Sequence, residues 1–314
     1  MNYTYEISTY DNKEIIHCKQ IKKSSKEKPL ISIIIRCKNE EEKIKECLEK
    51  ILNQEINKEF EIIIIDSGSS DKTISIAKKY DVNIYTIPEN EFNFGSSIQL
   101  GIKLSKGKYC TFLSAHCIPV DKKWLNNLTR VFDENTAATY GKQTYYDDTY
   151  FIEKKSLSET FKNTKKTQKW NKKFKNFKDY KNEIIFSNAN SCIRKDIAEK
   201  IPFRNLIASE DREWAYRVLK NNYIIKYVPD SIVYHAHNET KEKYYQRIYI
   251  NSKALYCFQN VHINLIHVIP LYLVCISSDL KYLVKNKLMN FENIKMSLIY
   301  RFMYVKAHYD GSRK

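Results

Sequence analysis

Apolar runs alternate with amphipathic stretches from Pro29 onward. The continuous apolar runs are rich in β-branched residues and are typical of strands buried on both faces. The stretches between them repeat apolar positions at helical spacing. Because strands and helices alternate as in βαβ units, we predict an α/β fold with a mostly parallel sheet flanked by helices. The first predicted elements are strand Leu30–Arg36, helix Glu40–Leu52, strand Phe60–Ile65, helix Asp71–Tyr80 and strand Asn83–Ile87.

The alternation continues to about residue 240 and then changes character. From Lys241 the chain predicts three or so helices rich in Tyr, Ile and Leu. We therefore predict an N-terminal extension over 1–28, an α/β domain over 29–240 and a helical C-terminal extension over 241–314. The later predicted elements are helix Ser96–Ser105, strand Tyr109–Ser114, helix Trp124–Phe132, strand Ala137–Thr144, strand and turn Ile184–Ile193, helices Lys195–Lys200 and Glu210–Asn221, and strand Ile224–Val228.

Composition adds a strong positive charge to this picture. The formal net charge is +16. Nucleic acid, an anionic membrane surface and phosphate-bearing substrates would each suit that charge, and so would a plain bias toward Lys, Asn and Ile. The stretch 153–181 is dense in lysine and aromatic residues, and it fits either a nucleic-acid patch or a solvated lid over a site.

Cysteine usage and apolar run lengths indicate the compartment. The eight cysteines form no C-x-x-C pair, so we expect buried thiols in a reducing environment. The N-terminal residues show no secretory signal. The longest apolar run, Ile263–Ser278, is shorter than the ~20 residues of a membrane-spanning helix. We expect a cytoplasmic protein, with attachment to the inner face of the cytoplasmic membrane as an open alternative.

Two acidic positions could carry chemistry. Asp66 ends a buried strand before a Gly/Ser turn, where ligands of open α/β sheets bind, although a turn-forming aspartate fits equally. Glu210 and Asp211 lie near the start of a predicted helix, whose dipole keeps a general base ionised. A helix cap formed by Ser209 is the competing interpretation of that segment.

Three histidines follow predicted strands. His235 and His237 are two residues apart and would face the same side of an extended chain, a spacing that suits a metal or a phosphate. His116 holds a similar position after another strand, although a single histidine is more often structural. The absence of H-E-x-x-H, Walker A and G-x-G-x-x-G patterns argues against metalloproteases, P-loop enzymes and ordinary dinucleotide binding.

Six segments, in order, resemble the family 2 glycosyltransferases of the Rossmann-like GT-A fold, and among them bacterial rhamnosyltransferase-like enzymes of surface polysaccharides. The resemblance covers about Pro29 to Asn238. Its segments are I-I-I-R-C-K-N-E at Ile33–Glu40, F-E-I-I-I-I-D-S-G-S-S-D-K-T at Phe60–Thr73, F-N-F-G-S-S-I-Q-L-G at Phe92–Gly101, S-N-A-N-S-C-I-R at Ser187–Arg194, the E-D helix at Glu210–Trp214, and Y-H-A-H-N at Tyr234–Asn238.

The resemblance implies an inverting transferase that moves a sugar from a nucleotide-sugar donor, with UDP favoured, to a hydroxyl of a capsule, lipooligosaccharide or O-antigen glycan. Asp211 would be the catalytic base, with Glu210 as the fallback. His116 and His235 would contact a metal or the diphosphate, with His237 as the rival of His235. The implied donor-binding residues are Arg36, Glu40, Asp66, Ser67, Gly95, Ser114, Ala115 and His116. The implied acceptor-binding residues are Asn188, Asn190 and Trp214.

Two departures from the family pattern bear on the cofactor. The resemblance implies Mn²⁺ or Mg²⁺, yet His116 in Ser114-Ala115-His116 stands where an aspartate is usual. Ile98-Gln99 replaces the Arg-Asn of many relatives. Either the histidines hold the metal, or cationic side chains neutralise the leaving group instead.

The C-terminal helices leave three interpretations open: they could pack as an extension, form a homodimer contact or dock on anionic lipid. The rival functions for the whole chain are a basic, non-catalytic nucleic-acid-binding protein and a nucleotidyltransferase. We expect no nucleic-acid partner.

Overall fold

The computed structural model describes residues 4–8, 15–162, 164, 166–171, 184–259 and 263–313. Part of the Lys/aromatic stretch predicted over 153–181, including 172–181, lies outside the described residues. The structure divides into two compact units. The first unit comprises 1–143, 164–206 and 210–235, and the second comprises 144–163, 207–209 and 236–314. The predicted domain boundaries stay a prediction.

The described strands form one sheet. They are β1 Thr4–Ser8, β2 Ile15–Lys22, β3 Ile31–Cys37, β4 Phe60–Asp66, β5 Asn83–Thr86, β6 Tyr109–Ser114, β7 Ile118–Pro119, β8 Thr136–Thr144, β9 Thr167–Gln168, β10 Asn190–Arg194 and β11 Ile224–Tyr234. Their order is β1-β2-β5-β4-β3-β6-β10-β8-β11-β7, and β9 pairs with β11. The predicted N-terminal extension thus contributes two strands to the sheet.

The described α-helices are α1 Ile44–Leu52, α2 Thr73–Ala77, α3 Phe94–Leu104, α4 Trp124–Arg130, α5 Phe151–Lys162, α6 Lys195–Lys200, α7 Glu210–Lys220, α8 Lys241–Gln259, α9 Val268–Lys285 and α10 Phe291–Gly311. Two 3₁₀ turns cover Glu89–Glu91 and Leu265–His267. The α/β fold with flanking helices and C-terminal helices is confirmed.

A parallel core lies at the centre of the sheet. Strands β5, β4, β3 and β6 are parallel, with Arg36 in register with Ser114 and Cys37 in register with Asp66. The carboxyl ends of these strands therefore meet at one edge, where loops can form a ligand site. On one side of this core β2 pairs antiparallel with β5, and on the other side β10 pairs antiparallel with β6. The sheet is mixed rather than wholly parallel.

The apolar runs become the core because both sheet faces are covered. Ile31, Ile33, Ile34 and Ile35 of β3 are all at most 1% exposed. The amphipathic stripe of α1 packs into the same cluster through buried residues, which are Ile44, Cys47, Leu48 and Ile51. Among the described cysteines six are buried free thiols, as predicted, and Cys275 is half-buried.

The second unit has its own small core and a buried charged network. Phe151, Ile152, Tyr244 and Leu283 form the apolar cluster. Asp279 is fully buried and accepts hydrogen bonds from Arg301 Nε at 2.7 Å and Ser297 Oγ at 2.8 Å, while Lys155 Nζ lies 3.2 Å from its carboxylate. A buried carboxylate needs such partners, because an unpaired charge would be costly to desolvate.

Most of the longest apolar run lies in a helix that is longer than the run itself. Together with the preceding 3₁₀ turn, α9 forms a helix of 21 residues over Leu265–Lys285, with a mean hydropathy of 1.3. Only 6% of the most apolar stretch of this helix is buried. By length and composition this helix could cross a membrane. Pro270 is the third residue of α9, and a proline in the first turn of an α-helix removes no intrahelical hydrogen bond.

Candidate active site

The loop after β3 is joined to the turn after β4 at the carboxyl edge of the sheet. Asn39 adopts a left-handed conformation with φ 55°, which asparagine tolerates better than most residues. Its backbone N–H donates to Ser69 Oγ at 2.9 Å, and its side-chain oxygen accepts from the Ser70 N–H at 2.9 Å. The Glu40 N–H donates to Thr73 Oγ1 at 2.7 Å. The two segments therefore form one rigid edge.

Asp66 organises its own turn. Its carboxylate accepts from the backbone N–H groups of Gly68 at 3.1 Å and Ser69 at 3.2 Å and from Thr86 Oγ1 at 3.1 Å. The side chain is 2% exposed, and the neighbouring Ser67 is also buried. The structure shows the turn-forming role that the sequence left open. Contact of Asp66 and Ser67 with a nucleobase stays a prediction.

Arg36 links three segments of the first unit. Its Nη1 donates to the Phe94 carbonyl at 3.3 Å, and its guanidinium lies 5.2 Å from the centre of the Phe94 ring. The same nitrogen is 3.8 Å from a carboxylate oxygen of Glu210. The strand-end arginine thus connects the start of α3 with the start of α7.

Gly95, predicted to contact the donor, has a packing reason for being glycine. A Cβ atom at this position would lie 1.8 Å from the Arg204 carbonyl oxygen, so no other residue fits without a backbone shift. The adjacent Ser96 hydroxyl is buried and has no hydrogen-bond partner among the described residues. The start of α3 therefore holds a buried polar group two residues after Phe94, whose carbonyl accepts from Arg36.

Glu210 and Asp211, the acid pair, begin α7 and are held by Asn188. The Asn188 backbone N–H donates to Asp211 and its side-chain amide donates to Glu210, both at 3.4 Å. The Arg212 N–H donates to Asp211 Oδ1 at 2.7 Å. Burial, reinforced by the charge of Glu210 and opposed by Arg212, raises the pKa of Asp211 to about 7. A carboxyl group with such a pKa can accept a proton near neutral pH.

His116 and His235, the imidazole pair, stack with ring centroids 5.2 Å apart. Nδ1 of His116 lies 2.7 Å from Glu40 Oε1, and Nδ1 of His235 lies 2.7 Å from Gln143 Oε1. Because a carboxylate and an amide oxygen only accept, each Nδ1 is the donor. Both rings are therefore oriented by neighbouring side chains, as metal-binding histidines commonly are.

Cys117 lies beside the imidazole pair but belongs to the core. Its sulfur is within 4.8 Å of the histidine ligand atoms. Burial raises the pKa of its thiol to about 12, which favours the neutral form over the thiolate that binds metals. Of the other predicted neighbours, Ala115 is fully buried and Ser114 is half-buried. His237 belongs to the second unit and is not part of this cluster.

Two of the predicted acceptor residues are buried side chains with supporting roles. Asn190 is fully buried, and its amide bonds Trp124, Lys142 and Ser231. Trp214 is also fully buried and stacks on Phe203 at 4.9 Å. Neither side chain is exposed, so in this structure both contribute packing and hydrogen bonds, and their contact with an acceptor stays a prediction. Asn188, the third predicted acceptor residue, holds the acid pair.

The structure also shows contributors that the sequence did not single out. Gln143 ends β8 and orients His235, and Phe94 stacks with Arg36. Arg212 is largely buried beside Asp211, and burial lowers its pKa. Only the position of Gln143 at the end of a predicted strand could have indicated it. The first unit thus places Asp66 at the end of β4 and Arg36 near the end of β3, links Arg36 to Glu210, and links Glu40 to His116, which follows β6.

Comparisons with known proteins agree with this geometry. The chain is 29% identical over 206 residues to the O-antigen chain rhamnosyltransferase WbaN of Salmonella anatum, covering 62% of each chain. It is 25% identical over 193 residues to the O-antigen chain rhamnosyltransferase RfbN of Salmonella typhimurium, covering 60% of each. The chain thus matches about three-fifths of the length of these relatives.

A solved mannosyltransferase from Pyrobaculum calidifontis, in complex with GDP-Man and Mn²⁺, shares the fold. Its TM-score is 0.59 at 12% identity, over 92% of this chain and 89% of that one. The family model "Glycosyl transferase family 2" matches residues 32–202, more than half of the chain. This chain therefore belongs to glycosyl transferase family 2 and has the GT-A fold.

Proposed function

We propose that this enzyme transfers a sugar, with inversion, from a nucleotide-sugar donor to a hydroxyl of a growing surface glycan. Binding of nucleotide-sugar donors is typical of the family. The names of the two Salmonella relatives support an O-antigen, capsule or lipooligosaccharide glycan as the product. We favour a UDP-sugar as donor. The buried free thiols support a cytoplasmic location, because thiols persist in reducing compartments.

The acid pair carries the proposal. In our mechanism the acceptor hydroxyl oxygen forms a bond to the anomeric carbon while the bond from that carbon to the diphosphate oxygen breaks. The hydroxyl proton goes to Asp211, and the nucleoside diphosphate leaves from the opposite face, which inverts the configuration. A pKa of about 7 suits Asp211 for this task near neutral pH. Arg36 lies close enough to Glu210 for its positive charge to offset part of the negative charge of the Glu210 carboxylate.

The side chains next to the proposed diphosphate position fit an ion that accepts nitrogen ligands. His116 and His235 would hold it, with Glu40 and Gln143 orienting the rings. Imidazole ligands suit Mn²⁺ better than Mg²⁺, which prefers a shell of oxygens. When bound, such an ion would neutralise charge on the leaving diphosphate. We therefore propose Mn²⁺ as the preferred cofactor.

A nucleotide screen tests the donor and the ion together. Melting temperatures would be measured with UDP, GDP, dTDP and CMP, each with and without Mn²⁺. A ligand at a hundredfold excess over its Kd stabilises the native state by about 2.7 kcal/mol, so we expect UDP with Mn²⁺ to raise the melting temperature by several degrees. A larger shift with another nucleotide would reassign the donor.

Product stereochemistry tests the reaction itself. The UDP-sugar selected by the screen would be incubated with a hydroxyl acceptor, and NMR would report the anomeric configuration of the product. We expect the configuration opposite to that of the donor. Retention of configuration would contradict Asp211 as a base, because retention requires a different arrangement of groups.

A further inference from the structure

The second unit exposes a continuous apolar surface, which we call the α9 face. It comprises Leu265 and Ile266 of the 3₁₀ turn and Ile269, Leu273, Val274 and Val284 of α9. Their side chains are 59–76% exposed. Single exposed aliphatic residues are common, but a contiguous group of this size marks an interaction surface.

The opposite side of α9 is packed inside the second unit. Leu283 and Asp279 are fully buried, and Asp279 is bonded to Arg301 and Ser297 of α10. A helix that crossed the bilayer would bring this charged network into the hydrocarbon, which is costly. The arrangement therefore favours a helix lying in the membrane interface, with one face on the protein and the other toward lipid.

Charge identifies the chemistry of the surface that fits the α9 face. Lys281 and Lys285 line a groove of about 560 Å³ together with Leu273, Leu280 and Val284. Lys281 and Lys285 are exposed and have no ion-pair partner among the described residues. Three acidic residues are described between 263 and 313. Asp279 pairs with Arg301 and Asp310 pairs with Lys306, so that only Glu292 is exposed.

We propose that the α9 face inserts its aliphatic side chains into the interface of an anionic lipid bilayer while Lys281 and Lys285 bind headgroup phosphates. Apolar insertion and electrostatic attraction to anionic lipid are the two terms that hold interfacial helices. A two-fold contact between copies of this face would bring its lysines together without acidic partners, which disfavours a second copy as the occupant. This inference does not depend on the proposed donor or acceptor.

Vesicle co-sedimentation of the full chain tests the proposal. We expect binding to vesicles of phosphatidylcholine with phosphatidylglycerol, and much weaker binding to phosphatidylcholine alone or at high salt. The double variant Ile269→Glu/Leu273→Glu should weaken binding by roughly tenfold or more. Leu52→Glu is the matched control, because Leu52 is an exposed aliphatic residue of the first unit, at 43%. It should bind as the wild type does.

Two further measurements distinguish loss of lipid binding from misfolding and report how deeply the α9 face inserts. Circular dichroism and melting would show that the double variant folds, as expected for exposed positions. A tryptophan introduced by Leu273→Trp should be quenched by lipids brominated near the headgroup and less by those brominated near the chain end. Equal sedimentation of the folded double variant and the wild type would overturn the proposal. So would a dimer in light scattering that this variant dissociates, without any binding to vesicles.

Discussion

The acid pair and the imidazole pair lie in the same unit but have different neighbouring groups. Asp211 is half-buried beside the buried Glu210, and desolvation together with the charge of Glu210 raises the pKa of Asp211 to about 7. The His116 side chain is 30% exposed and is held by the carboxylate of Glu40. Desolvation beside a like charge makes Asp211 a proton acceptor near neutral pH, whereas a ring with a fixed orientation is suited to contact a ligand. The difference teaches that the groups packed beside each pair set the chemistry that the pair is suited to perform.

The largest effect should come from Asp211→Asn. We expect kcat to fall by about 10²–10⁴-fold, the usual contribution of a general base, while nucleotide-induced melting shifts persist. Steady-state turnover and the melting screen measure the two properties separately. Near-normal turnover would remove Asp211 from the role of base, and Glu210→Gln would then test the neighbouring acid.

Removal of either imidazole should be the next largest effect. His116→Ala and His235→Ala should each lower turnover by about 100-fold and abolish the additional melting shift that Mn²⁺ produces. His267→Ala is the matched control, since His267 is an exposed histidine of the second unit. A Mn²⁺ response that survives in both variants would show that other groups hold the ion or replace it.

A smaller effect is expected at Gln143, which positions His235 without contacting substrate in our proposal. Gln143→Ala should weaken Mn²⁺ affinity by about tenfold, because side chains behind metal ligands commonly contribute this much. Gln143→Glu keeps an acceptor oxygen for His235 Nδ1 and should restore most of the affinity. Equal affinities in wild type and both variants would assign Gln143 a merely structural role.

The smallest effect should be a displacement of the pH profile. Because Asp211 must be deprotonated to act, turnover should rise as pH increases through about 7. Glu210→Gln removes a negative charge that raises the pKa of Asp211, so the rise should move to lower pH, by about one unit or less. A pH profile that does not move in Glu210→Gln would show that the group whose titration controls turnover is not Asp211.

The same pKa links activity to stability. In the unfolded chain Asp211 should titrate near its ordinary value of about 3.9, so between about pH 4 and 7 the native state binds the additional proton. The contribution of this group to stability is therefore lost as pH rises through that window. Asp211→Asn should flatten this part of the dependence of unfolding free energy on pH, measured by denaturant titration.

Much of the fold and several site residues could be predicted from local patterns. Strand Tyr109–Ser114 and helix Lys195–Lys200 have their predicted bounds, since apolar periodicity and turn residues act over short distances. The direction of β10 could not be predicted, because the chain between 144 and 190 can return to the sheet either way. Pairing antiparallel with β6 was decided by long-range packing.

By itself the sequence determined the family and the parallel core, and it indicated the acid and imidazole residues as candidates, because each is carried by a short contiguous motif. Tertiary structure alone decided that Gln143 meets His235, 92 residues away, and that Asn190 and Trp214 are buried. It also decided that α9 buries Asp279 and exposes its aliphatic side chains. Burial depends on what packs against a residue from elsewhere in the chain, and the periodicity of the local sequence cannot predict which distant residue that is.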